Sequence, residues 1–134
     1  MAQIIVRDAA GKRILVDIAK DGYTFEMPAG KVSVEVVFQK GSGDFADVPE
    51  NSYYSSAVQW AAVNGITAGV GDNLFQPAQD CTRAQIATFL WRAAGCPKPE
   101  SQNNPFSDVQ AGAYYSDAVH WAIENGTTHG TSAT

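Results

Sequence analysis

Apolar residues alternate with polar ones through the first third of the chain. Ile4 and Val6, then Ile14, Val16 and Ile18, then Tyr23, Phe25 and Met27, then Val32, Val34, Val36 and Phe38 recur with a period of two. That period predicts short strands with one greasy face. Turn chemistry separates the runs at "AAGK" around Gly11, at "KDG" ending on Gly22 and at "PAG" over Pro28 to Gly30. The reading is an antiparallel β-meander over residues 1–40, too thin to stand without a covering layer. Gly41-Ser42-Gly43 then predicts a linker over 41–44.

Beyond Phe45 the period lengthens. In "YYSSAVQWAAVNG" Tyr54, Ala57, Val58, Ala61 and Ala62 follow the spacing of a buried helix face, and Asn64-Gly65 ends the helix. A glycine-punctuated loop follows, with Phe75 expected to anchor it in the core. The next helix is predicted over 82–94. Thr82 caps it, Gln85 completes a capping box, and Ile86, Phe89, Leu90 and Ala93 form its apolar stripe. Pro97, Pro99 and Pro105 forbid a continuing helix, so 96–105 reads as a linker.

The helical phrase then returns. "YYSDAVHWAIENG" repeats the earlier segment at a constant offset of 61, and Phe45–Asn73 shares fourteen of twenty-nine positions with Phe106–Thr134. This is an internal repeat. The counterparts of Phe75 and of the 82–94 helix fall outside these residues, so 106–134 is expected to be an incomplete second unit. The fold class is α+β, a small sheet followed by helical repeats.

Composition narrows the function. The 134 residues carry a formal net charge of −5 and no cluster of lysine and arginine, which argues against nucleic acid and anionic membrane surfaces as partners. No apolar run reaches the length of a membrane span, so membrane insertion is not expected. The N-terminal residues lack the pattern of a signal peptide, so either an export signal lies outside this chain or the protein is not exported. Cys81 and Cys96 bracket a helix about 20 Å long, whereas a disulfide needs Cα atoms within about 7 Å. A bridge between them is not expected.

Several residues invite chemistry. Arg83 stands in the first turn of a helix after a glycine loop, where free N–H groups and a guanidinium suit a carboxylate or phosphate. Solvation, or pairing with Asp80, is the alternative. Trp60 and Trp121 recur at matching positions and suit either the core or the wall of a sugar-binding groove. Gly65, Gly69 and Gly71 match neither nucleotide-binding fingerprint and read as turns. His120 has Asp117 and Glu124 at helical spacing. However, the first copy has Gln59 in its place, so a solvated face is expected and no metal site. No catalytic constellation has recognisable spacing, and Asp47 and Asp108 read as local turn residues. Neither a catalytic residue nor a cofactor is expected.

The F-x-D-V opening, the A-V-x-W helix, the N-G-I-T-x-G turn and the T-R-A-Q helix start occur in order between Phe45 and Gly95. Together they resemble the S-layer homology family, with 45–95 as one repeat and 106–134 as the first half of another. The stretch "GYTFEMPAGKVSVEVVF" looks, more loosely, like the closing strands of small β-repeats of bacterial surface proteins. The family resemblance implies three repeats in a pseudo-threefold helical prism with grooves between neighbours. It also implies non-covalent anchoring of an extracellular protein to the bacterial cell surface, through an anionic secondary cell-wall polysaccharide. On this resemblance Arg83, Trp60, Gly69, Thr82 and Gln85 are the ligand-binding residues. Gln85 departs from the usual glutamate. The competing expectation is a structural module that self-associates as a homo-oligomer through its second repeat, without a sugar ligand.

Overall fold

The computed structural model describes residues 2–38 and 45–131. The expected linker at 41–44 lies outside them. The chain divides into two compact units, residues 1–80 and 81–134, and each is described by itself.

The first unit holds five strands: β1 (Ala2–Arg7), β2 (Arg13–Ile14), β3 (Asp17–Ala19), β4 (Gly22–Thr24) and β5 (Ser33–Phe38). It also holds helix α1 (Ser55–Val63). The sheet is antiparallel, as the alternation predicts, but it is not a plain meander. β1 is central between β2 and β5, and β3 pairs only with β4 in a separate hairpin. The β1–β2 turn is closed by Asp8, whose Oδ1 accepts the N–H groups of Ala10 and Lys12 at 2.9 Å each. β5 then returns along the whole of β1, from Ala2 opposite Phe38 to Arg7 opposite Ser33.

Ile4, Val6 and Val16 bury against Val63 at the end of α1, with Ile14, Phe25 and Val32 around them. Val34 and Val36 lie opposite Val6 and Ile4 in the ladder and share their face. Even so, they stay 55% and 47% exposed. The patch covered by a single helix end is too narrow to reach the edge strand.

A second cluster of Phe45, Val58 and Ala62 lies on the other side of α1, closed by Val48, Tyr54 and Phe75. Phe75 is therefore the loop anchor it was expected to be, its ring centroid 5.5 Å from that of Phe45. The buried face of α1 differs from the expected one. Ser55, Val58, Ala62 and Val63 are buried, while Ala57 is exposed and Ala61 only half-buried. Two clusters on two sides draw the helix away from the simple stripe.

Asn64 holds the two layers of this unit together. Its fully buried amide accepts the Val16 N–H at Oδ1 (2.8 Å) and donates from Nδ2 to the Val16 carbonyl (2.9 Å). A second Nδ2 bond reaches the Trp60 carbonyl at 2.9 Å. Val16 sits between strands, where no ladder serves its backbone, and the side chain supplies what a neighbouring strand would.

The second unit holds α2 (Arg83–Ala93) and α3 (Ser116–Glu124), packed on one another. In α3 the expected face is buried: Ala118 and Ala122 are 0% exposed, and Val119 joins them. In α2 it is not. Thr88 is the buried residue, whereas Ile86 and Leu90 of the expected stripe are exposed. Thr88 is tolerated inside because its Oγ1 donates to the Ala84 carbonyl at 2.8 Å. Trp91 on the same side donates its indole N–H to the Pro97 carbonyl at 2.8 Å, which holds the proline segment against the helix. Cys81 and Cys96 are free and exposed.

His120 corrects the sequence reading. It is buried, at 5% exposure, and neither ring nitrogen has a hydrogen-bond partner. Glu124, four residues on, faces the linker instead and accepts the N–H groups of Glu100 and Ser101 at 3.2 and 2.7 Å. Among the described residues no cluster of histidine, cysteine, aspartate and glutamate could hold a metal ion.

Candidate functional site: the groove at the start of the second helix

The capping box forms as the T-R-A-Q spacing predicts. Gln85 N–H donates to Thr82 Oγ1 at 3.2 Å, and Thr82 N–H donates to Gln85 Oε1 at 2.8 Å. The amide of Gln85 does this as well as a carboxylate would, because the oxygen alone is used. Both residues are thereby committed to the backbone, and the first helical turn is fixed.

Arg83 projects from that turn and is exposed. Its Nη2 donates to Thr128 Oγ1 at 3.1 Å, a tie across 45 residues between the helix start and the glycine turn of the second repeat. Thr128 Oγ1 also accepts the Gly130 N–H at 3.5 Å. Its counterpart Thr67 makes the same turn, accepting the Gly69 N–H at 3.1 Å. Thr128 was missed by sequence reasoning. The available signal was its recurrence at position 67, read only as turn chemistry.

Between these elements lies an open groove of about 960 Å³. Arg83 and Thr128 stand on its polar side; Ile86, Leu90 and Tyr114 supply apolar walls. The Tyr114 ring is held edge-on by Tyr115, at 5.0 Å between centroids and 87° between planes. A fork of guanidinium donors at a helix N-terminus beside greasy walls suits a ligand with an anionic group on an otherwise compact body.

Of the residues singled out from the sequence, Thr82, Arg83 and Gln85 therefore come together. Trp60 and Gly69 lie in the first unit. Trp60 is half-buried, and Gly69 has φ of +73° with Phe45 pressed against it. The carboxylate of Asp47 proves long-range instead of local. Its Oδ1 accepts the Phe75 N–H at 2.9 Å and its Oδ2 the Gln76 N–H at 2.7 Å. The bond from Phe75, with that from Gln76, holds its carboxyl below the usual range against a partial opposing effect of desolvation.

Residues 44–87 match the family model of the S-layer homology domain. The Surface-layer 125 kDa protein of Lysinibacillus sphaericus is 34% identical over 84 residues, which is 63% of this chain and 7% of that protein. A cell surface protein of Thermoanaerobacter kivui is 36% identical over 83 residues, 59% of this chain and 10% of the relative. Endo-1,4-beta-xylanase A of Thermoanaerobacterium saccharolyticum is 30% identical over 86 residues, 64% of this chain and 7% of the enzyme. No solved structure matches significantly. The chain thus contains an S-layer homology domain and spans a tenth or less of these relatives. The domain is a cell-wall anchoring module found in a surface-layer protein and in a xylanase alike, and it is not itself catalytic. No helix among the described residues is long and apolar enough to cross a membrane.

Proposed function

We propose that the chain anchors an extracellular bacterial protein at the cell surface by binding an anionic secondary cell-wall polysaccharide, with Arg83 as the principal contact. One observation carries this reading. The Arg83 guanidinium stands exposed at a helix start with one N–H on Thr128, leaving its other donors to meet a carboxylate in the groove. Thr82 and Gln85 act by fixing the turn that presents it. Trp60 and Gly69 would serve a second groove of the same kind, made when another repeat sets an α2-type helix beside α1. In functional terms the chain then divides as a β-unit over 1–40, repeats over 45–95 and 106–134, and linkers at 41–44 and 96–105.

Cell wall carrying its secondary polymer is expected to retain the protein, and wall stripped of the polymer is not. Arg83→Ala should weaken retention several-fold, and Arg83→Lys should restore only part of it, since lysine lacks the planar fork. Equal retention by stripped wall defeats the reading.

The exposure of Ile86 (48%) and Leu90 (45%) beside Tyr114 favours a second reading. In it the module self-associates through this apolar wall and needs no sugar. Light scattering separates the two: a monomer at high concentration counts against self-association.

A further inference from the structure

Asn-Gly occurs twice in the chain, at 64–65 and at 125–126, each time at the C-terminal cap of a helix. The backbone closes both turns alike. Gly65 N–H donates to the Ala62 carbonyl at 2.9 Å, and Gly126 N–H to that of Ile123 at 3.0 Å. The N–H groups of Ile66 and Thr127 reach back to Ala61 and Ala122, at 2.8 Å each. The asparagine side chains, by contrast, do not match. Asn64 is fully buried, with its amide on both backbone groups of Val16. Asn125 is exposed, and its Nδ2 donates to the Trp121 carbonyl of its own helix at 2.8 Å. A Cβ on Gly126 would meet nothing within 4 Å.

The cover over Asn64 comes from the sheet. The loop that follows the first turn bonds instead to Ala46, Asp47 and Val70. The openness of Asn125 therefore does not depend on such a loop.

In an Asn-Gly pair the glycine nitrogen is unhindered, because no Cβ stands beside it. We propose that Asn125 is a site of spontaneous deamidation in the folded protein, and that Asn64 is protected from the same reaction. The Gly126 backbone nitrogen attacks Cγ of Asn125 and gives its proton to water, while Nδ2 takes up a proton and leaves as ammonia. Water then opens the five-membered succinimide at either carbonyl, which leaves aspartate or isoaspartate. One water is consumed and one ammonia released, with no change of oxidation state.

At Asn125 a ψ of 7° holds the attacking nitrogen away from Cγ, so the ring closes from an opened last turn. At 125–126 that opening exchanges exposed hydrogen bonds for bonds to water, at little net cost. At 64–65 it strands the Val16 N–H and C=O inside the core. The product at 125 carries a new carboxylate at the C-terminal end of α3, where the helix dipole opposes it. Isoaspartate also lengthens the main chain just before the turn of Thr128, the acceptor of Arg83. This chemistry does not depend on what the groove binds.

The test is peptide mapping by mass spectrometry of the 134-residue protein, incubated in mildly alkaline buffer either folded or in concentrated urea. Isoaspartate is counted in parallel with an isoaspartate-specific methyltransferase. In urea both asparagines should convert at similar rates. In the folded protein Asn125 should convert within about ten-fold of its rate in urea, as a fraying helix end allows. Asn64 should be at least about thirty-fold slower than Asn125, because its opening leaves two buried groups unpaired. Asn125→Gln should abolish the methyltransferase signal of the folded protein. Equal rates at the two sites of the folded protein would overturn the proposal, as would a signal that persists in Asn125→Gln. So would a folded Asn125 that stays intact while the unfolded chain converts completely.

Discussion

Replacing Asn64 with alanine should loosen the sheet from α1 far more than its size suggests. The amide makes both hydrogen bonds to the backbone of Val16, and Val16 is wholly buried. After truncation the Val16 N–H and C=O have neither protein nor ready solvent partners. Each buried unpaired group costs about 1–3 kcal/mol. The lower part of that range applies if water enters the small cavity, so the pair comes to about 2–4 kcal/mol. That is a large share of the roughly 5–15 kcal/mol that holds a domain folded. Asn64→Asp should be worse, because a carboxylate would face the Val16 carbonyl it cannot donate to. Asn125 is the internal control: it occupies the matching position, is exposed, and keeps only the bond to the Trp121 carbonyl at 2.8 Å. Asn125→Ala should therefore cost about 0.5 kcal/mol or less. Native-state hydrogen exchange at Ile4, Val6 and Val16 reads the difference residue by residue. Equal, sub-kilocalorie losses in both variants would refute the clamp.

The depressed pKa of Asp47 makes its contribution pH-dependent. A carboxyl whose folded pKa lies below its unfolded value stabilises above about pH 4 and loses that effect as pH falls through the folded value. Asp47→Asn should flatten this part of the acid limb in a denaturation series from pH 5 to 2; an unchanged limb contradicts the assignment. His120→Leu removes a buried, unpartnered imidazole and should stabilise the second unit by about 1 kcal/mol or more, seen as a rise of several degrees in Tm. A fall in Tm would mean that the ring is better accommodated than its geometry implies. Gly130→Ala should destabilise by over about 1 kcal/mol, since both its φ and the Phe106 ring exclude a methyl group; wild-type stability in urea would show that the turn yields.

Much of the fold was legible because it rests on local rules. Period-two alternation marked the strands, Thr82 and Gln85 marked the start of α2, and the repeat marked α3. What escaped was decided by partners distant in sequence. Asn64 carries the same letter as Asn125, and a C-terminal cap accounts for both, so nothing local announced that one of them grips Val16. Asp47 looked like a turn residue because its partners lie 28 and 29 residues away. The face predicted for α1 is the one that α3 buries: Ala118 and Ala122 are covered by α2, while Ala57 lacks such cover. Identical helical spelling thus hides different neighbours. The stripe of α2 was misassigned for a related reason, since Thr88 is polar by letter and becomes buriable only through its own carbonyl four residues back. At the site, the T-R-A-Q motif located Arg83, but which hydroxyl would receive it was a question of tertiary geometry.

The tie from Arg83 to Thr128 has a consequence for recognition. A free arginine side chain samples many rotamers, and freezing them costs about 2 kcal/mol on capture of a ligand. Here part of that freedom is surrendered during folding, so an arriving anion meets a fork already held at one prong. Affinity should then depend on the hydroxyl at 128 through the entropy of the unbound protein, even for a ligand that never touches it.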